Sequence, residues 1–234
     1  MSFDSESFFN SLIQSIIYFP NTLKLIFIPF AVGLIIGGII AFIRFYEVPV
    51  LNKILAAFIT VYQGVPVMVA VMIYNLLFLN CADSVFQYFH VNLTMASVDL
   101  LWIGVFTLSL SAICSMSEVI RGALESVDFG QNEAAYSAGL TGFQTIRRII
   151  IPQIVPVAIP TLTNTTIGLI KNSSVVSVIG IMEVTRSSLI ASQVKYTFFE
   201  GYLAAAAVYW VFSIFIELIF SRAEKYSGRY RRTV

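Results

Sequence analysis

Ionisable and amide side chains interrupt apolar stretches of this sequence at a few places. Glu118 and Arg121 close one apolar run, and Asn164, Thr165, Gly168, Lys171 and Asn172 punctuate another. Within a bilayer such groups are costly unless they face a cavity, a partner or one another. Their chemistry is therefore binding and ion pairing. Covalent catalysis needs a nucleophile beside a base, yet the only histidine, His90, falls in a connection, and no His-Glu-x-x-His or Gly-x-Ser-x-Gly pattern occurs. No spacing of His, Cys, Asp and Glu reads as a metal site, so neither catalytic residues nor a bound metal is expected.

Spacing gives these residues a direction. Asn164, Gly168 and Asn172 recur every four residues with Thr165 and Lys171 beside them, which makes a polar stripe down one helix face. A single polar residue often bonds only a neighbouring helix, whereas a continuous stripe favours a substrate pathway. Ser111, Ser115, Glu118 and Gly122 form a facing set at similar spacing. For Glu118 and Arg121 two readings stand: an i to i+3 salt bridge near the inner end of the span, or direct contact with substrate. Lys171 has three outlets, pointing inward, snorkelling to the outer surface, or pairing with an acid such as Glu183 or Glu200.

The elements that must carry these side chains are membrane spans. Hydrophobic residues make up 58% of the chain and charged residues only 12%, too little polar surface to clothe a soluble globule. With about twenty apolar residues per crossing, the chain reads as one domain over 1–234, an all-α helical bundle with about five spans. They lie near Thr22 to Ile43, Ile54 to Leu79, Leu100 to Ile120, Pro156 to Ile179 and Phe198 to Phe220. Within the second, Gly64 and Pro66 break the helix and free backbone carbonyls, as at transporter sites or at simple packing kinks. The formal net charge of +1 argues against a nucleic-acid partner. Cys81, in a predicted connection, and Cys114, in an apolar run, suggest no disulfide framework. The first twenty residues show no cleavable signal, so the N-terminus is expected to stay on the mature protein.

Charge placement orients the bundle. Arg44, Lys53, Arg121, Arg147, Arg148, Arg222, Lys225, Arg229, Arg231 and Arg232 flank one set of connections, while Lys24, Lys171, Arg186 and Lys195 belong to the other. By the positive-inside effect the ten are cytoplasmic, the N-terminus is outside and the C-terminus is cytoplasmic. Anionic lipid binding by the tail is a further option that orientation makes unnecessary.

The longest polar interruption, about 125–151, reads as two short helices meeting at a glycine. Asp128 with Gln131, and Thr141 with Gln144, have capping-box spacing, and Gly139 supplies a left-handed end to the first helix. Ala134, Ala135 and Ala138 leave one face almost bare, suited to docking against another protein. From spacing alone a solvated loop dipping Phe143, Ile146, Ile149 and Ile150 into lipid is an equal reading.

Longer patterns separate these readings. Gly130-Gln131-Asn132-Glu133-Ala134-Ala135, then Gly139, then Ile151-Pro152 resembles the EAA loop of ABC importer permeases. Glu118-Val119-Ile120-Arg121-Gly122 before it, and Pro152-Gln153, Pro160, Asn164, Lys171-Asn172-Ser173-Ser174 and Ile179-Gly180 after it, resemble the polar amino-acid branch of that family. Gln63-Gly64-Val65-Pro66 is similar to its Arg-Gly-Thr-Pro element.

The resemblance implies a permease subunit, not an enzyme, in a cell (plasma or inner) membrane. The loop would be a cytoplasmic coupling helix, with Gln131, Glu133, Ala134, Ala135 and Gly139 at the ATPase contact. Ser115, Glu118, Arg121, Asn164, Thr165, Gly168, Lys171 and Asn172 would line the pathway. It implies cytoplasmic ABC ATPase subunits, a second permease chain and an extracellular solute-binding protein as partners, beside the lipid bilayer. No Gly-x-x-x-x-Gly-Lys-Ser/Thr loop occurs, so this chain has no cofactor of its own, and ATP and Mg would be held by the partner. Gln63 stands where a positive residue is usual and Asn172 where Thr or Asp is common. With Thr165 and Asn172 neutral, the expected substrates are polar or zwitterionic amino acids or derivatives, such as glutamine or cystine. The rival class is an ion-coupled secondary transporter in which Glu118 or Asp99 carries a proton.

Overall fold

The computed structural model describes residues 3–128 and 130–227. Among them the secondary structure is helical: α1 Ser5–Phe45, α2 Leu51–Gln63, α3 Val67–Tyr88, α4 Leu101–Glu125, α5 Gly130–Ser137, α6 Gly142–Ile179, α7 Val184–Gln193 and α8 Phe198–Ser227. Five of these (α1, α3, α4, α6 and α8) are long and apolar enough to cross a membrane. The all-α polytopic bundle expected from composition is what forms. Arg229, Arg231 and Arg232 lie outside the described residues.

The first helix is much longer than the expected Thr22 to Ile43. It starts at Ser5, where Asp4 caps it by accepting the Ser7 N–H at 3.1 Å. Its 41 residues extend for about 60 Å, twice the hydrocarbon thickness. Serines at its N-terminal end mask it from a hydropathy reading, because Ser7, Ser11 and Ser15 are buried instead of facing solvent. Towards its C-terminal end the helix widens into a π turn, Gly33–Gly37. A methyl group added at Gly33 would lie 2.8 Å from Ala112 Cβ, and one at Gly37 would lie 2.8 Å from the Ile113 carbonyl oxygen. Only glycine lets α1 press this closely on α4.

The expected second span, Ile54 to Leu79, is two helices. Pro66 cannot donate to a helical ladder and excludes the preceding residues from continuing one; its ψ of 137 makes it the first residue outside α3. Cys81, read as a connection residue, is exposed on α3, which continues to Tyr88. His90 follows in a turn at φ 54.

Helix α4 is the most deeply buried span and organises the others. At one end Leu101, Val105 and Leu108 pack with Leu25, Val71 and Val176. At the other, Ile120, Ala123 and Leu124 pack with Ala41, Ile150 and Ile154. Helix α7 occupies what reads as an outer connection. It is wedged between α1 and α8: Ser15 Oγ donates to the Val184 carbonyl at 3.3 Å, the Val184 N–H donates to Thr22 Oγ1 at 3.2 Å, and Ser188 Oγ donates to the Gly201 carbonyl at 2.6 Å.

Candidate translocation face and coupling helix

Glu118 and Arg121 realise the ion-pair reading. Arg121 Nε and Nη2 donate to Glu118 Oε2 at 3.2 and 2.9 Å, one turn apart on α4. The second Glu118 oxygen is taken by Arg44 of α1, and Arg121 also pairs with Glu125. Both oxygens of Glu118 are thus held by cations of its own chain. Arg44 and Glu125 complete this ion network, and the sequence signal for Arg44 is that it ends an apolar run. Ser111 and Ser115, on the same face of α4, are half-buried, and Gly122 is exposed.

On α6 the stripe divides by depth. Asn164 and Lys171 are exposed, Thr165, Gly168 and Asn172 are half-buried, and the opposite face carries the buried Thr166, Leu169 and Ile170. Nothing lies within 4 Å of where a Gly168 side chain would begin. Thr165 Oγ1 donates back to the Thr161 carbonyl at 2.9 Å, a bond within its own helix. The pairing of Lys171 with Glu183 or Glu200 does not occur, and Lys171 has no ion pair among the described residues. Glu200 instead accepts the Asp4 N–H at 3.0 Å.

Glu183 has a different task that sequence spacing did not reveal. It is fully buried and caps α7, accepting the Thr185 and Arg186 N–H groups at 2.9 and 2.8 Å, while Tyr209 Oη of α8 donates to it at 2.5 Å. Burial pushes its carboxyl above the ordinary glutamate range, against the pull of those hydrogen bonds. Glu183 stands three residues after Gly180, which at φ 96 ends α6.

The break between α2 and α3 lies open as well. Gln63, Gly64 and Pro66 are exposed, and Tyr62 Oη anchors the end of α2 by donating to the Thr107 carbonyl of α4 at 3.2 Å.

Of the two short helices read in the polar interruption, α5 stands alone, whereas the second is the beginning of α6, which runs on unbroken from Gly142. Gly139 is at φ 78 and closes α5: its N–H donates to the Tyr136 carbonyl at 2.9 Å, and the Leu140 N–H donates to Ala135 at 3.0 Å. Thr141 and Gln144 exchange both bonds of a capping box. The Asp128 cap differs. Its carboxylate takes the Gly130 N–H at 2.6 Å, and the Gln131 amide turns to Gln153 at 3.5 Å, so Asp128 and Gln131 make no reciprocal box. The bare alanine face is also narrower than expected. Glu133, Ala134, Ala138 and Gly139 are exposed, whereas Ala135 is buried against its own chain because it lies on the inward side of α5.

Residues 33–225 match the protein family described as the binding-protein-dependent transport system inner membrane component. The chain is 34% identical, over 97% of its length and 96% of the relative's, to a probable amino-acid permease protein, YxeN, of Bacillus subtilis. It is 31% identical to the L-cystine transport system permease protein TcyL of the same organism, covering 89% of this chain and 84% of that one. A solved structure described as an amino acid ABC transporter with histidines superposes with a TM-score of 0.77 at 30% identity, covering 96% of this chain and 99% of the other. An inward-facing MetNI methionine ABC transporter shares the fold, with a TM-score of 0.68 at 16% identity over 88% of this chain and 93% of that one. A helical bundle with a polar face left uncovered on α6, matched over most of its length in these ways, belongs to the family of inner-membrane components of binding-protein-dependent transport systems.

Proposed function

We propose that this chain forms half of the translocation pathway of an importer for polar or zwitterionic amino acids or close derivatives. The observation that carries the reading is the uncovered polar face of α6, where Asn164, Gly168 and Lys171 stand opposite the buried side of an apolar span. Lipid rejects such a face, and a second permease chain across a watery pathway accepts it. The amino-acid class is supported by what the similar permeases transport according to their names. Substrate would meet Ser115, Asn164, Thr165, Gly168, Lys171 and Asn172, while Glu118 and Arg121 border the pathway from within their ion network.

Energy enters through α5. Gln131, Glu133, Ala134, Ala135 and Gly139 form the segment presented to cytoplasmic ATPase subunits, which hold ATP and Mg, with Glu133, Ala134 and Gly139 at the contact and Ala135 backing them. An extracellular solute-binding protein delivers the substrate, and closure of the ATPases rocks the spans between outward and inward access. The exposed Arg147 and Arg148 beside α5 support a cytoplasmic location for this loop and an outside N-terminus. A membrane-impermeant maleimide added to intact cells is expected to label His90→Cys in a Cys81→Ser background and to spare Lys53→Cys; the reverse pattern overturns the orientation.

The substrate class is tested by uptake into proteoliposomes holding this chain, its ATPase and its binding protein. Glutamine and cystine are expected to compete for uptake, and arginine to compete poorly. Asn172→Asp places a negative charge on the pathway and is expected to improve the competition by arginine about tenfold, equivalent to about 1.4 kcal/mol. An unchanged ranking of competitors removes Asn172 from the pathway.

A further inference from the structure

A row of alternating charge joins the first helix to the coupling segment. Arg44, near the inner end of α1, meets one oxygen of Glu118 on α4; Arg121 holds the other oxygen and continues to Glu125, the last residue of α4. Helix α5 begins five residues later, at Gly130. Arg44 is the most buried member, with its side chain 11% exposed against 31% for Glu118, and its Nε has no hydrogen-bond partner among the described residues. Only Arg44 reaches the row from another helix.

The same two helices meet through glycine. The π turn at Gly33–Gly37 lies against Ala112, Ile113 and Met116 with no room for a side chain, and Ser117 Oγ is buried there without a partner. Between the Leu25–Leu108 and Ala41–Ile120 contacts of the same two helices, this seam gives close backbone approach with few interlocking side chains of its own. A partly buried ion pair is a poor source of net stability, since desolvation offsets much of the attraction, and an apolar pair would hold the helices together as well. What the ion pair adds is register, because it closes only when the cation of Arg44 lies level with the free oxygen of Glu118.

We infer that Arg44 is a positioning residue that fixes the register of α1 on α4, so that displacement of α5 by the ATPase moves both helices as one unit. The inference rests on the reading of α5 as the ATPase contact. Without Arg44, α4 still follows α5 but α1 slips along the glycine seam, and hydrolysis proceeds without moving substrate.

The test is the amount of substrate moved per ATP hydrolysed in proteoliposomes containing the whole complex. Arg44→Gln in the assembled complex is expected to lower this ratio about fivefold or more, the lower edge of typical coupling strengths, and Arg44→Lys to recover most of it. Should Arg44→Gln fail to assemble, Arg44→Gln with Glu118→Gln removes both charges of the pair; that complex is expected to assemble and to keep the low ratio. A wild-type ratio in either assembled glutamine variant overturns the inference. Glu133→Ala and Gly139→Val, measured alongside, test the α5 reading separately, since normal stimulation of hydrolysis in both overturns that reading whatever Arg44 does.

Discussion

Gly139→Val is expected to reduce the stimulation of ATP hydrolysis by substrate-loaded binding protein at least about tenfold, a loss near 1.4 kcal/mol of coupling. The cause is conformational and not steric. Nothing lies within 4 Å of the position a Cβ would take, but the backbone stands at φ 78, where a side chain costs about 1–2 kcal/mol and a β-branched one more. The strain is relieved most cheaply by unwinding the end of α5, which gives up the bonds from Gly139 to Tyr136 and from Leu140 to Ala135. Glu133 and Ala134 then lose their fixed presentation. Glu133→Ala is the companion variant: Glu133 is exposed, so its removal should leave thermal unfolding in detergent unchanged within about 0.5 kcal/mol and still weaken the stimulation. Full stimulation in both variants would remove α5 from the ATPase contact.

Glu183→Ala is expected to destabilise the bundle by about 3 kcal/mol, the sum of a lost helix cap and a buried tyrosine hydroxyl left without its acceptor. Three donors converge on this fully buried carboxyl, from Thr185, Arg186 and Tyr209, and alanine satisfies none of them. Glu183→Gln keeps an acceptor oxygen for the cap and should cost less than half as much. The pair of variants also isolates a pH effect. Burial raises the Glu183 carboxyl in the folded chain, so the folded state binds this proton more tightly than the unfolded state does. Its contribution is therefore greatest at low pH and is lost as pH rises through the raised folded value. Thermal midpoints measured across pH should show that decline in the wild type and a flatter profile in Glu183→Gln; identical profiles would mean that Glu183 does not titrate with folding.

Composition and the spacing of apolar runs made the five-span bundle legible, because a bilayer imposes length and hydropathy on whatever crosses it. The coupling segment was legible for a local reason: Gly139, and Thr141 with Gln144, are backbone devices whose spacing carries their geometry. What stayed hidden depends on tertiary contact. Ser7, Ser11 and Ser15 lower the hydropathy of the first turns and yet are buried, so α1 begins seventeen residues before the expected span, at Ser5 in place of Thr22. Helix α7 is short and only moderately apolar, and its place is set by hydrogen bonds from Ser15 and Thr22 that lie more than 160 residues away in sequence. The pairing of Arg44 with Glu118 bridges 74 residues, beyond the reach of any helical period. Ala135 faces inward for the same kind of reason, since a stripe of alanines does not say which edge of it the rest of the chain will cover.

ATP-driven amino-acid import through this chain is read out by labelled glutamine and cystine uptake in proteoliposomes containing this permease, its ATPase and its binding protein. Uptake is predicted to require ATP in the ATPase compartment, to persist when ion gradients are collapsed, and to fail when the ATPase is omitted. Accumulation by this chain alone on a proton or sodium gradient, indifferent to ATP, would contradict the account and turn attention to Glu118 and Asp99 as proton carriers.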